Sequence, residues 1–452
     1  MAFTESIDVP ALLDHERIGS FRIELLVLCF MVLVMDGYDV LVIGNLGPSL
    51  AQSLRIARPA LGPVFSAGIF GLALGALFFG PLADWLGRRR MIIASTVFFG
   101  ICTLLTARAT SVHSLLVLRF ATGLGLGGAF PNAIALMSEF APQRVRFTLV
   151  TLMQAGFAAG GLLSGVIVSW LIDAYGWRTV LYIGGVVPLL LAPLLVARLP
   201  ESIRFLVIKG ARAETIGAVL SRAVPGIQVT SDTAFVVREE NRRGVPMLHL
   251  FREGRAVGTA LLWLAAMANI LALTFLLFWL PTLINSTGIA LRLAVWSTVA
   301  YQVGSIVGAV LLGRLVDLRG TYRVLPINFV VGAVIVSLLG LTGSSLPLIV
   351  ALSLGVGFCT GGGQVGLNAL PGTYYPTYIR STGVGWALGV GRFGAVISGL
   401  LGTLLLSWRW SLPMIFIVDG FFVLCAAAAV FLMGLSLPRP TPAVPVAVPP
   451  GN

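Results

Sequence analysis

Apolar residues in this chain come in long runs separated by short polar connections, and a helix crossing the hydrocarbon of a bilayer needs about 20 of them. Twelve runs meet that length, over residues 22–44, 63–83, 91–109, 114–137, 147–170, 178–197, 257–281, 293–313, 324–342, 346–370, 382–406 and 411–435. The pattern predicts an all-α membrane protein with twelve transmembrane helices in two pseudo-symmetric six-helix bundles. It divides the chain into a cytoplasmic tail (1–21), a first bundle (22–197), a cytoplasmic linker (198–256) and a second bundle (257–435). A Pro-rich tail (436–452) follows, with Pro438, Pro440, Pro442, Pro445, Pro449 and Pro450; it cannot be helical and is expected to be disordered. The linker holds one helical-looking stretch, 202–224. The first run follows a polar segment with Asp8, Asp14 and Glu16 and has no small-residue cleavage site after it, so it reads as a spanning helix and not as a signal peptide.

Composition agrees with lipid as the solvent. Of the 452 residues 57% are hydrophobic and 11% charged, against about 25% charged in soluble domains. The net charge of +12 does not point to nucleic acid, because the basic residues fill the gaps between apolar runs. Six of them, Arg55, Arg58, Arg108, Arg178, Arg292 and Arg409, fall in alternate loops. Apart from Arg119 and Arg392, all others fall on the opposite side, which by the positive-inside bias is cytoplasmic. Both termini are then inside. Cys29, Cys102, Cys359 and Cys425 lie within apolar runs without metal-ligand spacing.

The halves repeat each other. The loop after the second run places Gly80, Asp84, Gly87 and Arg90 at the same offsets as Gly313, Asp317, Gly320 and Arg323 after the eighth. Pro142 and Arg146 match Pro376 and Arg380 at nearly the same displacement. In duplicated carriers the binding site lies near the midplane between the halves. Asp84, with Gly80, Gly87 and Arg88, and Asp317 with Gly313, are candidates for contacts that set the conformational balance.

Ionisable groups at membrane depth are costly and are candidate functional groups. Four stand out: Asp36, Asp39, Arg119 and Arg392. Asp36 and Asp39 share one helix face, and Arg119 lies at a similar depth. A permanent salt bridge is one reading; the other is a carboxylate that takes a proton and releases Arg119. Arg392 is central in the eleventh run, with Gly385 and Gly389 on its face leaving room for bidentate capture of a carboxylate. No acidic residue is expected at mid-depth in the second half to pair with it. Asn269 (at the position matching Asp36), Gln302, Gln364 and Asn368 offer amides, and Tyr38, Tyr301 and Trp386 offer rings, although such aromatics also serve as packing. Glycines in the fourth and tenth runs allow close helix approach.

With paired Gly-x-x-x-Asp-x-x-Gly loops, the chain resembles the major facilitator superfamily. Asp36-Gly37-Tyr38-Asp39, the segment from Arg119 to Asn132, Tyr175 to Arg178, Pro200-Glu201-Ser202 and the segment from Arg380 to Arg392 are similar to the aromatic acid:proton symporters. Trp85 and Leu318 depart from the loop pattern, which has a basic residue after its Asp. The resemblance implies import of a benzoate-type acid with protons, Arg392 and Arg380 as site residues, and a monomer in the bacterial inner membrane. Arg380 reads equally as a topology charge. No cofactor, metal or nucleic acid is expected. Transport of another organic anion or a sugar, or sensing of aromatic acids, remain the alternatives.

Overall fold

A backbone in hydrocarbon has to satisfy its own polar groups, so each apolar run folds as a helix. The computed structural model describes residues 6–15, 19–224, 227, 233–236, 246–252, 254–375 and 379–436. The first four long helices are α1 (Ser20–Asn45), α2 (Leu61–Leu86), α3 (Arg88–Thr106) and α4 (Val112–Phe140). Next come the 56 residues Gln143–Arg198, helical on both sides of a single break. At 1.5 Å per residue the pieces before and after the break are about 50 and 33 Å long, each enough for one crossing. The break is Gly176, whose φ of 73° and ψ of 174° are non-helical. Residues 143–175 form α5 and 177–198 form α6.

The second half runs α7 (Ala256–Asn285), α8 (Trp296–Arg319), α9 (Thr321–Leu339), α10 (Leu346–Tyr374), α11 (Arg380–Ser407) and α12 (Leu412–Ser436). In α10, Gly357–Gly361 is a π-helical turn. The Pro-rich tail from 437 onward and Pro376 lie outside the described residues.

Odd-numbered helices start on the side that carries the linker, called here the linker face, and end on the far face. The stretch 202–224 is two short helices, Ile203–Ile208 and Ala213–Ala223, not one; Gly210 between them has φ 64°. The N-terminal segment is part of this layer. Ser6–Asp8 pairs in parallel with Ala234–Val236, and Val9 and Leu13 join a core with Ile216 and Leu220. Buried Arg22 binds it down, donating to the carbonyls of Leu13 and Phe140 at 2.9 and 2.8 Å.

The two halves use the same packing solution. A Cβ at Gly71 of α2 would strike the Phe120 carbonyl of α4, and one at Gly75 the Leu124 carbonyl. In the second half Gly304 and Gly308 of α8 stand in the same way against Leu354 and Phe358 of α10. These partners are displaced by 233 and 234 residues, the displacement of the loop repeat. With no solvent-driven attraction between helices in lipid, such small-residue seams are what allow close backbone approach.

The bundles meet on the far face. Arg58 donates to Asn285 Oδ1 at 3.2 Å, Ser66 to the Val396 carbonyl at 2.7 Å and Thr403 to the Pro59 carbonyl at 2.6 Å. The Thr298 hydroxyl bonds Asn45 Oδ1 at 2.8 Å, and Asn45 in turn donates to Ser164. All these groups lie toward the far ends of α1, α2, α5, α7, α8 and α11. The conformer is therefore sealed on the far face, and open space beside Gly385 and Gly389 lies on the linker side of Arg392.

Candidate functional site

Two carboxylates on one face of α1 have different surroundings. Asp39 is fully buried and engaged: Arg119 of α4 stands 3.0 Å away from Nη1 to Oδ2, at an angle short of a hydrogen bond, and its Nη2 donates to the Asp39 carbonyl at 3.2 Å. Thr103 of α3 donates to Asp39 Oδ1 at 2.6 Å. Asp39 thus ties α1, α3 and α4 together within the first bundle. Asp36, one turn closer to the linker face and 1% exposed, has no hydrogen bond to either carboxylate oxygen. The cation in its field is Arg392, reached across the bundle interface from α11. Gly37, between the two, lets α5 close on α1; a Cβ there would fall on the Phe157 carbonyl.

Arg392 is half-buried. Added Cβ atoms at Gly389 and Gly385, about one and two turns toward the linker face, would meet nothing within 4 Å. A guanidinium with vacant space on one side and a buried carboxylate in its field is a site for an anion.

Asn269 of α7 extends the polar lining. Its Nδ2 reaches the Thr360 carbonyl at 3.1 Å and Gln364 Oε1 at 2.8 Å, and Gln364 donates to Asn368 Oδ1 at 2.8 Å. Asn269 is buried, Gln364 half-buried and Asn368 exposed, so the row leads from the core to open space.

Other candidates lie elsewhere. Tyr38 is buried and turned toward α6, its hydroxyl donating to the Val180 carbonyl at 3.0 Å. Tyr301 is buried, its hydroxyl 2.8 Å from Thr360 Oγ1. Gln302 packs its amide against Gly161 of α5 in the bundle seam. Trp386, 40% exposed, stacks on Trp263 with centroids 5.7 Å apart.

At the linker face Arg88 pairs with Glu139 of α4, while Asp84 is exposed and 3.9 Å from Arg88. Glu201 accepts from the Arg89 backbone N–H at 3.1 Å, and its carboxylate occupies the space of a Cβ at Gly87, whose φ is 102°. Asp317 is exposed, with no ion pair among the described residues. Gly80 and Gly313 have open space at the Cβ position. Arg380 is the first residue of α11.

The four intramembrane charges expected from the sequence are not the full set: a further acid lies in the second half, toward the far face and not at mid-depth. Asp419 of α12 is 1% exposed, and neither carboxylate oxygen has a hydrogen bond. A lone acid in the run Leu412–Ser436 was the signal that could have found it. Arg88 and the start of α3 take Glu139 and Glu201 as their partners, where the loop pattern pointed to Asp84.

The model of the Major Facilitator Superfamily matches residues 28–295 and 262–451. A gallate transporter of Pseudomonas putida is 40% identical over 439 residues, 97% of each chain. A 4-hydroxybenzoate transporter of Pseudomonas aeruginosa is 36% identical over 434 residues, 95% of this chain and 96% of that one. Among solved structures, the xylose transporter of E. coli in a partially occluded inward open conformation superposes with a TM-score of 0.68 at 19% identity, covering 90% of this chain and 98% of the other. Twelve membrane-length helices among the described residues, in two halves with matching glycine seams, and a family model spanning both, place the chain in the major facilitator superfamily, among membrane transporters and not enzymes.

Proposed function

We propose that the chain is a proton-coupled symporter that imports a small aromatic carboxylate, of the benzoate or hydroxybenzoate type, by alternating access. It works as a monomer in the bacterial inner membrane with both termini, and hence the linker face, in the cytoplasm. The observation that carries the reading is the relation of Asp36 to Arg392: a buried carboxylate without hydrogen bonds, in the field of a half-buried guanidinium beside open space.

An ionised Asp36 competes with any anionic solute for Arg392. Protonating Asp36 removes that competitor and leaves the guanidinium fork to take the solute carboxylate. Solute and proton then load together because each removes an obstacle to the other. Asp39 does not serve this role, since it is held by Arg119 and Thr103 within one bundle. The amides of Asn269, Gln364 and Asn368 suit ring hydroxyls, in keeping with relatives named for gallate and 4-hydroxybenzoate. In this conformer the far-face seam is closed, and the open space beside Gly385 and Gly389 lies on the linker side of Arg392. The contacts of Arg88 and Glu201, around the Gly80–Asp84–Gly87 loop, act on the balance between this state and its opposite.

The test is uptake of gallate, 4-hydroxybenzoate and benzoate by the purified carrier in proteoliposomes, with succinate as competitor, with and without a protonophore. Accumulation of aromatic acids that collapses with the protonophore and ignores succinate is expected. Accumulation that survives the protonophore removes proton coupling, competition by succinate changes the cargo, and absence of net flux leaves a sensor.

A further inference from the structure

A cavity of about 350 Å³ lies apart from the solute site, at the linker face. That volume is within the range of sites that take small ligands. Its walls come from three parts of the first half: the first turn of α3, the end of α6 with the residues that follow it, and the two short linker helices. Three arginines line it, Arg89, Arg90 and Arg222, against one acid, Glu201. Glu201 is already engaged, accepting from the backbone N–H groups of Arg89 and Ser202 at 3.1 and 2.9 Å. Much of the remaining wall is apolar, with Leu199, Phe205 and Val219.

The protein leaves these arginines with donors to spare. Arg90 is exposed and has no hydrogen bond or ion pair among the described residues. Arg89 donates through Nη2 to the Val196 carbonyl, while its Nε is buried without a partner. Arg222 uses a single nitrogen, Nη2, for both Glu24 Oε2 and the Arg198 carbonyl, each at 3.3 Å, and lays its guanidinium over the Phe21 ring. Guanidinium groups with free N–H donors are suited to an oxyanion, phosphate above all.

Depth and outlet identify the kind of anion. Trp85, exposed and three residues before α3, has the Lys209 ammonium over its ring at 5.9 Å. Such aromatic and basic residues sit at the headgroup level of a bilayer. On α6, Leu190, Leu194 and Ala197 stand at i, i+4 and i+7, so they share one face, and all three are exposed. Ala197 belongs to the cavity wall. An apolar lane therefore runs from the arginines toward the hydrocarbon. A free phosphate or a benzoate-type acid has no chain to lay along it; a phospholipid has. We propose that the cavity binds an anionic phospholipid, its phosphate taken by Arg89, Arg90 and Arg222 and its acyl chains lying on the Leu190–Leu194 face of α6. The bound lipid ties the linker helix Ala213–Ala223 to the start of α3, beside the Gly80–Asp84–Gly87 loop. The assignment is independent of the cargo and of its coupling to protons.

The experiment titrates the purified full-length carrier, delipidated in a non-ionic detergent, with phosphatidylglycerol or phosphatidylcholine and reads retained lipid by native mass spectrometry. Phosphatidylglycerol should be retained in preference. Arg90→Gln, which breaks no contact of the fold, should weaken its binding about fivefold, the share of one basic residue at a membrane surface. Val219→Trp, which fills the cavity and keeps every arginine, should weaken it too, whereas Arg108→Gln on the far face should not. Hydrogen exchange over 213–223 should slow when phosphatidylglycerol is added to the parent and stay unchanged in Val219→Trp. Equal retention of the two lipids, or parental binding by Arg90→Gln or Val219→Trp, overturns the proposal. Glycerol 3-phosphate that slows the exchange as well as the lipid does would make this a site for a soluble anion. Displacement of the lipid by 4-hydroxybenzoate would assign the cavity to the solute. Either result overturns the lipid assignment.

Discussion

Asp36 in α1 and Asn269 in α7 occupy the same position of the two halves, 233 residues apart, one facing a guanidinium and the other an amide. Duplication supplied two equivalent places at the bundle interface, and only one retains a charge that can be switched by a proton. The asymmetry separates the labour between halves: α1 offers the titrating group, and α7 with α10 offers fixed hydrogen-bonding groups.

The two acids of α1 should respond oppositely to the same change. Asp36→Asn mimics the protonated state and removes no hydrogen bond, so the fold should keep its melting temperature while accumulation against a gradient is lost and solute exchange persists. Asp39→Asn leaves Arg119 buried without its counter-ion, which costs about 3–5 kcal/mol. It should melt markedly lower in detergent, and replacing both Asp39 and Arg119 by leucine should recover much of that loss. Equal melting curves for the two single variants would contradict the assignment.

The crossings were legible because hydrocarbon leaves so little choice: a run such as 257–281 can only be a helix, and the duplicated Gly80–Asp84–Gly87 spacing exposes the two halves. The pairing of Arg119 with a carboxylate of α1 follows from matched depth along two helices. What a depth count lacks is rotation. Tyr38 and Asp39 are adjacent in sequence, yet the phenol turns to Val180 and the acid to Arg119 and Thr103. Tyr301 and Gln302 likewise divide between Thr360 and the seam at Gly161. The π turn of α10 has no periodicity that would reveal it. A single acid among aliphatic residues, as at Asp419, carries no pattern in the sequence that separates a buried side chain from an exposed one.

Close approach at the matched glycines should be indispensable in both halves. Gly71→Val and Gly304→Val each drive a branched side chain into a backbone carbonyl, of Phe120 and Leu354. Overpacking of this kind costs about 1–3 kcal/mol. Both should show lowered thermal stability to a similar extent, whereas Gly385→Val, next to open space, should melt as the parent does and lose solute affinity. A stable Gly304→Val protein would break the equivalence of the two seams.

The far-face seam can be locked. A Cβ placed on Gly399 would fall on Ser66 Oγ and 2.8 Å from the Gly62 carbonyl oxygen, so once the seam yields by a few tenths of an ångström Ser66→Cys with Gly399→Cys puts two sulfurs within bonding reach across the bundles. Oxidation should stop transport in proteoliposomes by holding the linker-face-open state, and a reductant should restore it. Each variant with one added cysteine should, like the parent with its four, be indifferent to oxidation. Undiminished uptake by the oxidised pair would mean that this seam does not open during the cycle.

Arg392→Lys keeps the positive charge and removes the planar fork, which distinguishes a bidentate site from a merely attractive one. Hydrogen bonds to a charged group contribute about 1.5–3 kcal/mol, which corresponds to roughly a 10- to 100-fold loss of affinity. The apparent affinity for 4-hydroxybenzoate should fall by that factor in Arg392→Lys, and Arg392→Gln should bind no better. Asp36→Asn, which leaves the guanidinium without its competitor, should bind the solute anion at least as tightly as the parent at high pH, where parental Asp36 is ionised. Calorimetric binding to detergent-solubilised protein reads all three. Unchanged affinity in Arg392→Lys would show that the cargo carboxylate is held elsewhere, and weaker binding by Asp36→Asn would show that the acid and the solute do not share the arginine.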